Sequence, residues 1–189
     1  MRPAPQPTRV KLTIDVVVDS SLWKEPGKMR SAVRRAVAQA ASTQSTSGAE
    51  LAIVLTDDSA IRQLNRMWRG IDTPTNVLSF PAAAKQAADE PLHLGDIVLA
   101  YQTIAREARA EHKPLAHHVA HLAVHGYLHL IGYDHERDAD AVAMERAERD
   151  ILHSLAIPDP YRHNTTKGPT KRPIPKTAPR SAPRHGKTA

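Results

Sequence analysis

The sequence predicts a single α/β domain of the α+β type, in which a small four-stranded mixed sheet packs against about five helices, one of them central and buried. Three observations carry this reading. Four short runs, 10–18, 51–55, 76–80 and 93–100, are rich in β-branched or aliphatic residues and have the length of strands. Longer stretches between and after them repeat apolar residues at helical spacing. The stretch 115–131 is apolar over much of its circumference, as suits a helix enclosed by the rest of the fold. A length of 189 residues suits one domain with a sizeable core, and no repeat of the solenoid type is visible.

Val10 to Val18 alternates apolar residues with Lys11, Thr13 and Asp15 and reads as the first strand. Pro26 then opens a helix, where its missing N–H is of no consequence, and Met29, Val33, Ala36 and Val37 fall on one face of it. Ser42 to Gly48 is a loop of turn-forming residues, and Leu51 to Leu55 is the second strand. Thr56-Asp-Asp-Ser offers N-caps for a helix carrying Ile61, Leu64, Asn65 and Trp68. Strands at Asn76 to Phe80 and His93 to Ala100 flank a loop whose Ala-Lys-Gln-Ala-Ala-Asp-Glu composition predicts exposure. Helices are expected at about Gln102–Glu111, Leu115–Ile131 and Glu136–Leu155, the last with Val142, Met144, Ile151 and Leu152 inward and its many charges on a solvated face.

Charge divides the chain. From Pro160 onward there are eight lysines and arginines and no acid, which leaves 18 basic against 20 acidic residues before it. The same stretch holds six prolines and almost no large apolar side chain, so it cannot bury enough surface to offset the entropy of ordering. The expected organisation is a flexible arm over 1–9, a folded domain over 10–161 and a disordered basic, proline-rich tail over 162–189. Such a tail can tether RNA by releasing counterions from phosphates, or can serve solubility alone. With no cysteine there is neither a disulfide framework nor a thiolate metal site, which is compatible with a reducing cytoplasm, the expected location. The polar interruptions of 10–18 exclude a signal-peptide core or a membrane span there. Aromatic residues are few, so extensive base stacking is not evident.

The most informative segment is His125-Gly-Tyr-Leu-His129-Leu-Ile-Gly132-Tyr-Asp-His135. Residues four apart in a helix share a face, so His125 and His129 can offer nitrogens to a common point. Gly132 tolerates the left-handed conformation of a helix C-terminus, which lets the chain turn back and bring His135 to the same point. Three neutral imidazoles leave one tetrahedral position for water, the form of a catalytic zinc site. Zinc proteases with similar histidine spacing carry a glutamate directly after the first histidine as general base. Here that residue is Gly126, which cannot take a proton, and this disfavours peptide hydrolysis.

The segment HGYLHLIGYDH resembles the HGxLHLxGYDH signature of the YbeY-type endoribonucleases, bacterial proteins that take part in ribosomal RNA maturation. Leu64-Asn-Arg-Met-Trp-Arg69 with Pro74-Thr-Asn-Val-Leu-Ser-Phe-Pro81 resembles the family's LNxxxR…PTxVLSFP segment, and Leu94-Gly-Asp96-Ile its LGDI strand. The three motifs, in family order, span about Leu51 to Tyr161. The resemblance implies a zinc-dependent endoribonuclease, one Zn2+ held by His125, His129 and His135, and action on single-stranded RNA. It also implies a role in 16S rRNA 3′-end maturation and ribosome quality control, with the small ribosomal subunit and ribosome-associated proteins as partners. It places the family's catalytic arginine at Arg69, where a guanidinium fork suits a phosphodiester. Read without the resemblance, Arg69 is a solvated helix-end arginine favourable to the macrodipole.

Other residues leave alternatives open. His121, one turn before His125, reads as a ligand-orienting or substrate-facing group, or as a partly exposed helix histidine. Asp96, in an otherwise apolar strand, either orients a ligand histidine or pairs structurally. Asp134 is a partner for the His135 region or an N-cap of the following helix. Thr75 and Asn76 contact RNA or shape their loop, and Arg137 is a weak candidate for substrate contact. The rival function is a non-catalytic, zinc-containing ribosome-assembly factor whose metal takes a fourth protein ligand, for instance His121.

Overall fold

The computed structural model describes residues 12–46, 48–82 and 92–162. The expectations for the N-terminal arm, the loop 83–91 and the tail beyond Arg162 lie outside the described residues. The elements run β1 (Thr13–Val18), α1 (Pro26–Thr43), β2 (Ala49–Thr56), α2 (Asp58–Arg69), β3 (Val77–Pro81), β4 (Leu92–Ala100), α3 (Tyr101–Ala110), α4 (Leu115–Leu130) and α5 (Asp138–Ser154).

The four strands form one mixed sheet in the order β1-β2-β4-β3. β1 pairs parallel with β2 and β2 with β4, whereas β3 runs antiparallel on the outer edge of β4. Side chains alternate across a strand, so each strand supplies two different surfaces. Leu51, Ile53, Leu55, Val77, Ile97 and Leu99 meet α1, α4 and α5 in the main core, while Leu78, Val98 and Ala100 meet Ile61 of α2 on the opposite side. The sheet is therefore sandwiched, with α2 on one face and α4 on the other.

Local signals explain the helix starts. Pro26 stands at the first position of α1, and the Asp57 carboxylate accepts from the Ala60 backbone N–H at 3.0 Å to cap α2. The expected buried face of α1, Met29, Val33, Ala36 and Val37, is buried. α5 begins at Asp138, two residues later than expected. Among the described residues no helix is long and apolar enough to cross a membrane.

α4 is the buried helix that the sequence predicts: every residue from His118 to Leu130 except His121 is buried. Its fully enclosed Val119, Val124 and Leu128 each contribute roughly 1.5–3 kcal/mol by leaving water. Its C-terminal half is tied to the α1–β2 connection, since the Tyr127 hydroxyl donates to Thr46 Oγ1 at 2.8 Å. The helix also lies unusually close to the sheet at Gly126, whose carbonyl accepts from the Ser79 hydroxyl at 3.1 Å. A Cβ there would stand 2.8 Å from Ile97 Cγ2 and 2.9 Å from Ser79 Oγ, closer than packed atoms approach. Glycine at this position thus lets the helix seat on β3 and β4, and no side chain, least of all a glutamate, has room.

Candidate metal centre

His125 and His129 stand on consecutive turns of α4 with their rings 4.6 Å apart. α4 ends at Leu130, and Gly132 follows with φ of +97°, a conformation that an L side chain resists. Its N–H donates to the His129 carbonyl at 3.1 Å and the next N–H, of Tyr133, to the Leu128 carbonyl at 3.0 Å, so the chain folds back on the helix end. That reversal delivers His135, whose ring lies 4.9 Å from His129 and 5.7 Å from His125. One nitrogen from each of the three rings lies within 4.8 Å of the others, so together they can hold one metal ion.

The remaining ring nitrogens fix the arrangement. His125 Nδ1 lies 2.7 Å from Glu148 Oε1, and His129 Nδ1 lies 3.0 Å from the Tyr133 carbonyl oxygen. Both partners only accept, so each Nδ1 carries a proton, and either ring, when neutral, has its lone pair on Nε2. These two Nε2 atoms face each other at 3.1 Å. Two rings that are both neutral have no proton to share across that gap, and their lone pairs then repel unless a cation, a proton or a metal ion, sits between them. His135 Nε2 is buried and has no hydrogen-bond partner among the described residues. The orphaned buried nitrogen and the two opposed Nε2 atoms together make a set of donors that could hold a metal ion.

Electrostatics keeps the rings ready. Burial, then the neighbouring His125 and His135, lowers the His129 pKa to about 4, and burial followed by His125 lowers that of His135. Both are therefore neutral near pH 7, the protonation state of a ligand.

The family model described as Endoribonuclease YbeY matches residues 19–156. This chain belongs to the YbeY family. It is 53% identical over 156 residues to the endoribonuclease YbeY of Rhodopseudomonas palustris strain BisB5, covering 78% of this chain and 80% of that protein. It is 54% identical over 153 residues to the endoribonuclease YbeY of Nitrobacter hamburgensis, with the same two coverages. The solution structure of TM1509 from Thermotoga maritima aligns with 85% of this chain and all of that one, at 21% identity and a TM-score of 0.48.

In this YbeY-family chain, Arg69 is the last residue of α2, and no hydrogen bond or ion pair joins it to the triad. Its guanidinium is half-buried, with Nε and Nη1 enclosed and without a hydrogen-bond partner among the described residues, and burial lowers its pKa to about 10. It therefore remains cationic at neutral pH.

Asp96 does not orient a ligand. Its side chain is half exposed, 3.7 Å from His93 Nε2, and strand alternation turns it to the α2 side of the sheet, away from the triad on α4. Asp134 accepts from the His135 backbone N–H at 2.7 Å and so shapes the turn, while α5 has no side-chain cap. Asn76 is engaged on both ends of its amide: Oδ1 accepts from Val77 N–H at 2.7 Å and Nδ2 donates to Glu107 at 3.0 Å, which shapes the loop. Arg137, the N-cap residue of α5, pairs with Asp140 of that helix at 2.6 Å.

The residue that sequence reasoning missed is Glu148. The charged run of α5 was expected to be solvated, yet Glu148 is 0% exposed and faces α4. Burial alone would raise its pKa, but His125, then hydrogen bonds with His121 and His125, outweigh that and hold it below the usual carboxylate range. Val142, expected inward on the same helix, is 64% exposed.

Proposed function

We propose that this chain is a zinc-dependent endoribonuclease that cleaves single-stranded RNA during ribosomal RNA maturation, acting in the cytoplasm on the small ribosomal subunit. The observation that carries the metal-dependent part is the pair of Nε2 lone pairs opposed at 3.1 Å beside the orphaned His135 Nε2. Zinc bound by imidazole at about 2.0–2.1 Å in tetrahedral geometry spaces its donors about 3.3 Å apart, close to that gap. When held there, zinc supplies Lewis acidity, lowering the pKa of water at the open position from about 15.7 towards about 7.

The protein supplies the rest. His125, His129 and His135 hold the ion with their neutral rings. Arg69 binds the scissile phosphate, a role supported by enclosed cationic donors that have no partner among the described residues and cost on the order of 1–3 kcal/mol each until an anion meets them. Gly126 keeps a carboxylate out of the position that serves peptide cleavage. A cavity of about 1110 Å3 has His125, but not His129, His135 or Arg69, among its walls, together with Asn76, Arg106, His117, His121 and Tyr161. The names of the related endoribonucleases and the eight basic residues of the tail support RNA as the partner.

The rival reading, a structural zinc in a non-catalytic assembly factor, requires a fourth protein ligand. Its candidate His121 directs Nε2 to Glu148 at 3.1 Å and stands outside the triad.

Removal of metal tests the proposal. Protein stripped by a chelator is expected to lose cleavage of single-stranded RNA and to regain it with one equivalent of zinc per chain. Undiminished cleavage by verified metal-free protein overturns the metal-dependent reading.

A further inference from the structure

Glu148 is the one carboxylate among the buried polar residues described in the fold, although it comes from the most highly charged helix. A lone carboxylate removed from water is costly unless donors surround it. Three do. His125 Nδ1 meets Oε1 at 2.7 Å, His121 Nε2 meets Oε2 at 3.1 Å, and the Tyr161 hydroxyl also donates to Oε2. Tyr161 is itself fixed: its N–H donates to Asp159 Oδ1 at 2.9 Å, and the Arg149 guanidinium lies over its ring at 5.4 Å.

We propose that Glu148 is the positioning residue of the metal centre, and that His121 and Tyr161 hold its carboxylate in the orientation that locks His125. This rests on the metal-centre reading given above. The two helical histidines differ in how they are steered. His129 gives its Nδ1 proton to a carbonyl of its own turn, so its orientation is local. His125 gives its proton to α5, and through Glu148 to the segment that ends at Tyr161, so its orientation depends on tertiary structure. Glu148 forces the His125 proton onto Nδ1 and leaves Nε2 bare. Without that acceptor the proton can move to Nε2, the atom that faces the metal. His121, conspicuous in the sequence one turn before the triad, thereby acquires a role as a support for Glu148.

The test compares full-length wild type, E148Q, Y161F and H129A by zinc competition against a chromophoric chelator, and by long-range proton–nitrogen NMR of the metal-free proteins. Glutamine keeps the shape, but with its carbonyl oxygen held by the two donors His121 and Tyr161 it turns its amide N–H towards His125 Nδ1. The expected result for E148Q is a 10–100-fold loss of zinc affinity together with a His125 signal shifted to the Nε2–H tautomer. Y161F, which leaves the carboxylate in place, should weaken zinc binding by a smaller factor. A folded E148Q with wild-type zinc affinity and an unchanged His125 tautomer overturns the proposal. Should E148Q fail to fold, Y161F decides: weakened binding supports the proposal, and wild-type affinity overturns it. Failure of the underlying zinc reading shows separately, as a wild type that binds no more zinc than H129A. The tautomer spectra of the metal-free proteins still judge Glu148 in that event.

Discussion

His129→Ala is expected to lose stoichiometric metal and RNA cleavage together. The ring is 7% exposed, directs Nδ1 to its own turn and opposes His125 across 3.1 Å, so alanine removes one donor of three with nothing nearby to replace it. His121 lies outside the group of nitrogens close enough to share one ion. The fold should survive, because the apolar cluster that joins α1, α4, α5 and the sheet does not include His129. A bound metal contributes several kcal/mol to transition-state stabilisation, and each 1.36 kcal/mol is tenfold in rate, so cleavage should fall by about 10^3-fold or more. Elemental analysis and cleavage of a single-stranded RNA on the same preparation check both halves. A variant that keeps both refutes the assigned centre.

Arg69→Glu should separate what His129→Ala loses together. Arg69 is not one of the three nitrogen donors that could share an ion, so metal content should stay at one ion per chain. Cleavage should nevertheless drop by about 10^3-fold, since losing one preorganised donor to developing charge costs about 10^2–10^3 and the introduced carboxylate also repels phosphate. Arg69→Lys should fall between the two, because an ammonium keeps the charge but not the paired geometry. Unchanged cleavage in Arg69→Glu would leave Arg69 a half-buried helix-end arginine with no part in the reaction.

The parts of this site that were legible in the sequence are those set by local geometry. Spacing of four places His125 and His129 on one face, and Gly132 at φ of +97° makes the reversal that brings in His135. The buried circumference of α4 was readable for the same reason: its apolar residues leave no wide polar stripe. Glu148 was hidden by its composition, standing in a run of charges that ordinarily marks a solvated surface. Its helical phase held the signal. Position 148 lies one turn after Met144 and one turn before Ile151 and Leu152, all three buried, so it belongs to their stripe. The same phase excludes Val142, two residues from Met144 and so on nearly the opposite side. Asp96 fails for a similar reason in a strand, where period-two alternation groups it with Val98 towards α2 rather than with Ile97 towards α4. The enclosure of Arg69 depends on how α2 settles on the sheet, which no local pattern specifies.

The central claim is that three imidazole nitrogens converge on one ion. Metal-edge X-ray absorption of purified, zinc-loaded wild-type protein tests it most directly. The predicted first shell is three imidazole nitrogens at about 2.0–2.1 Å with one light atom that exchanges with solvent. A shell closed by four protein donors, or one lacking imidazole scattering, would contradict it.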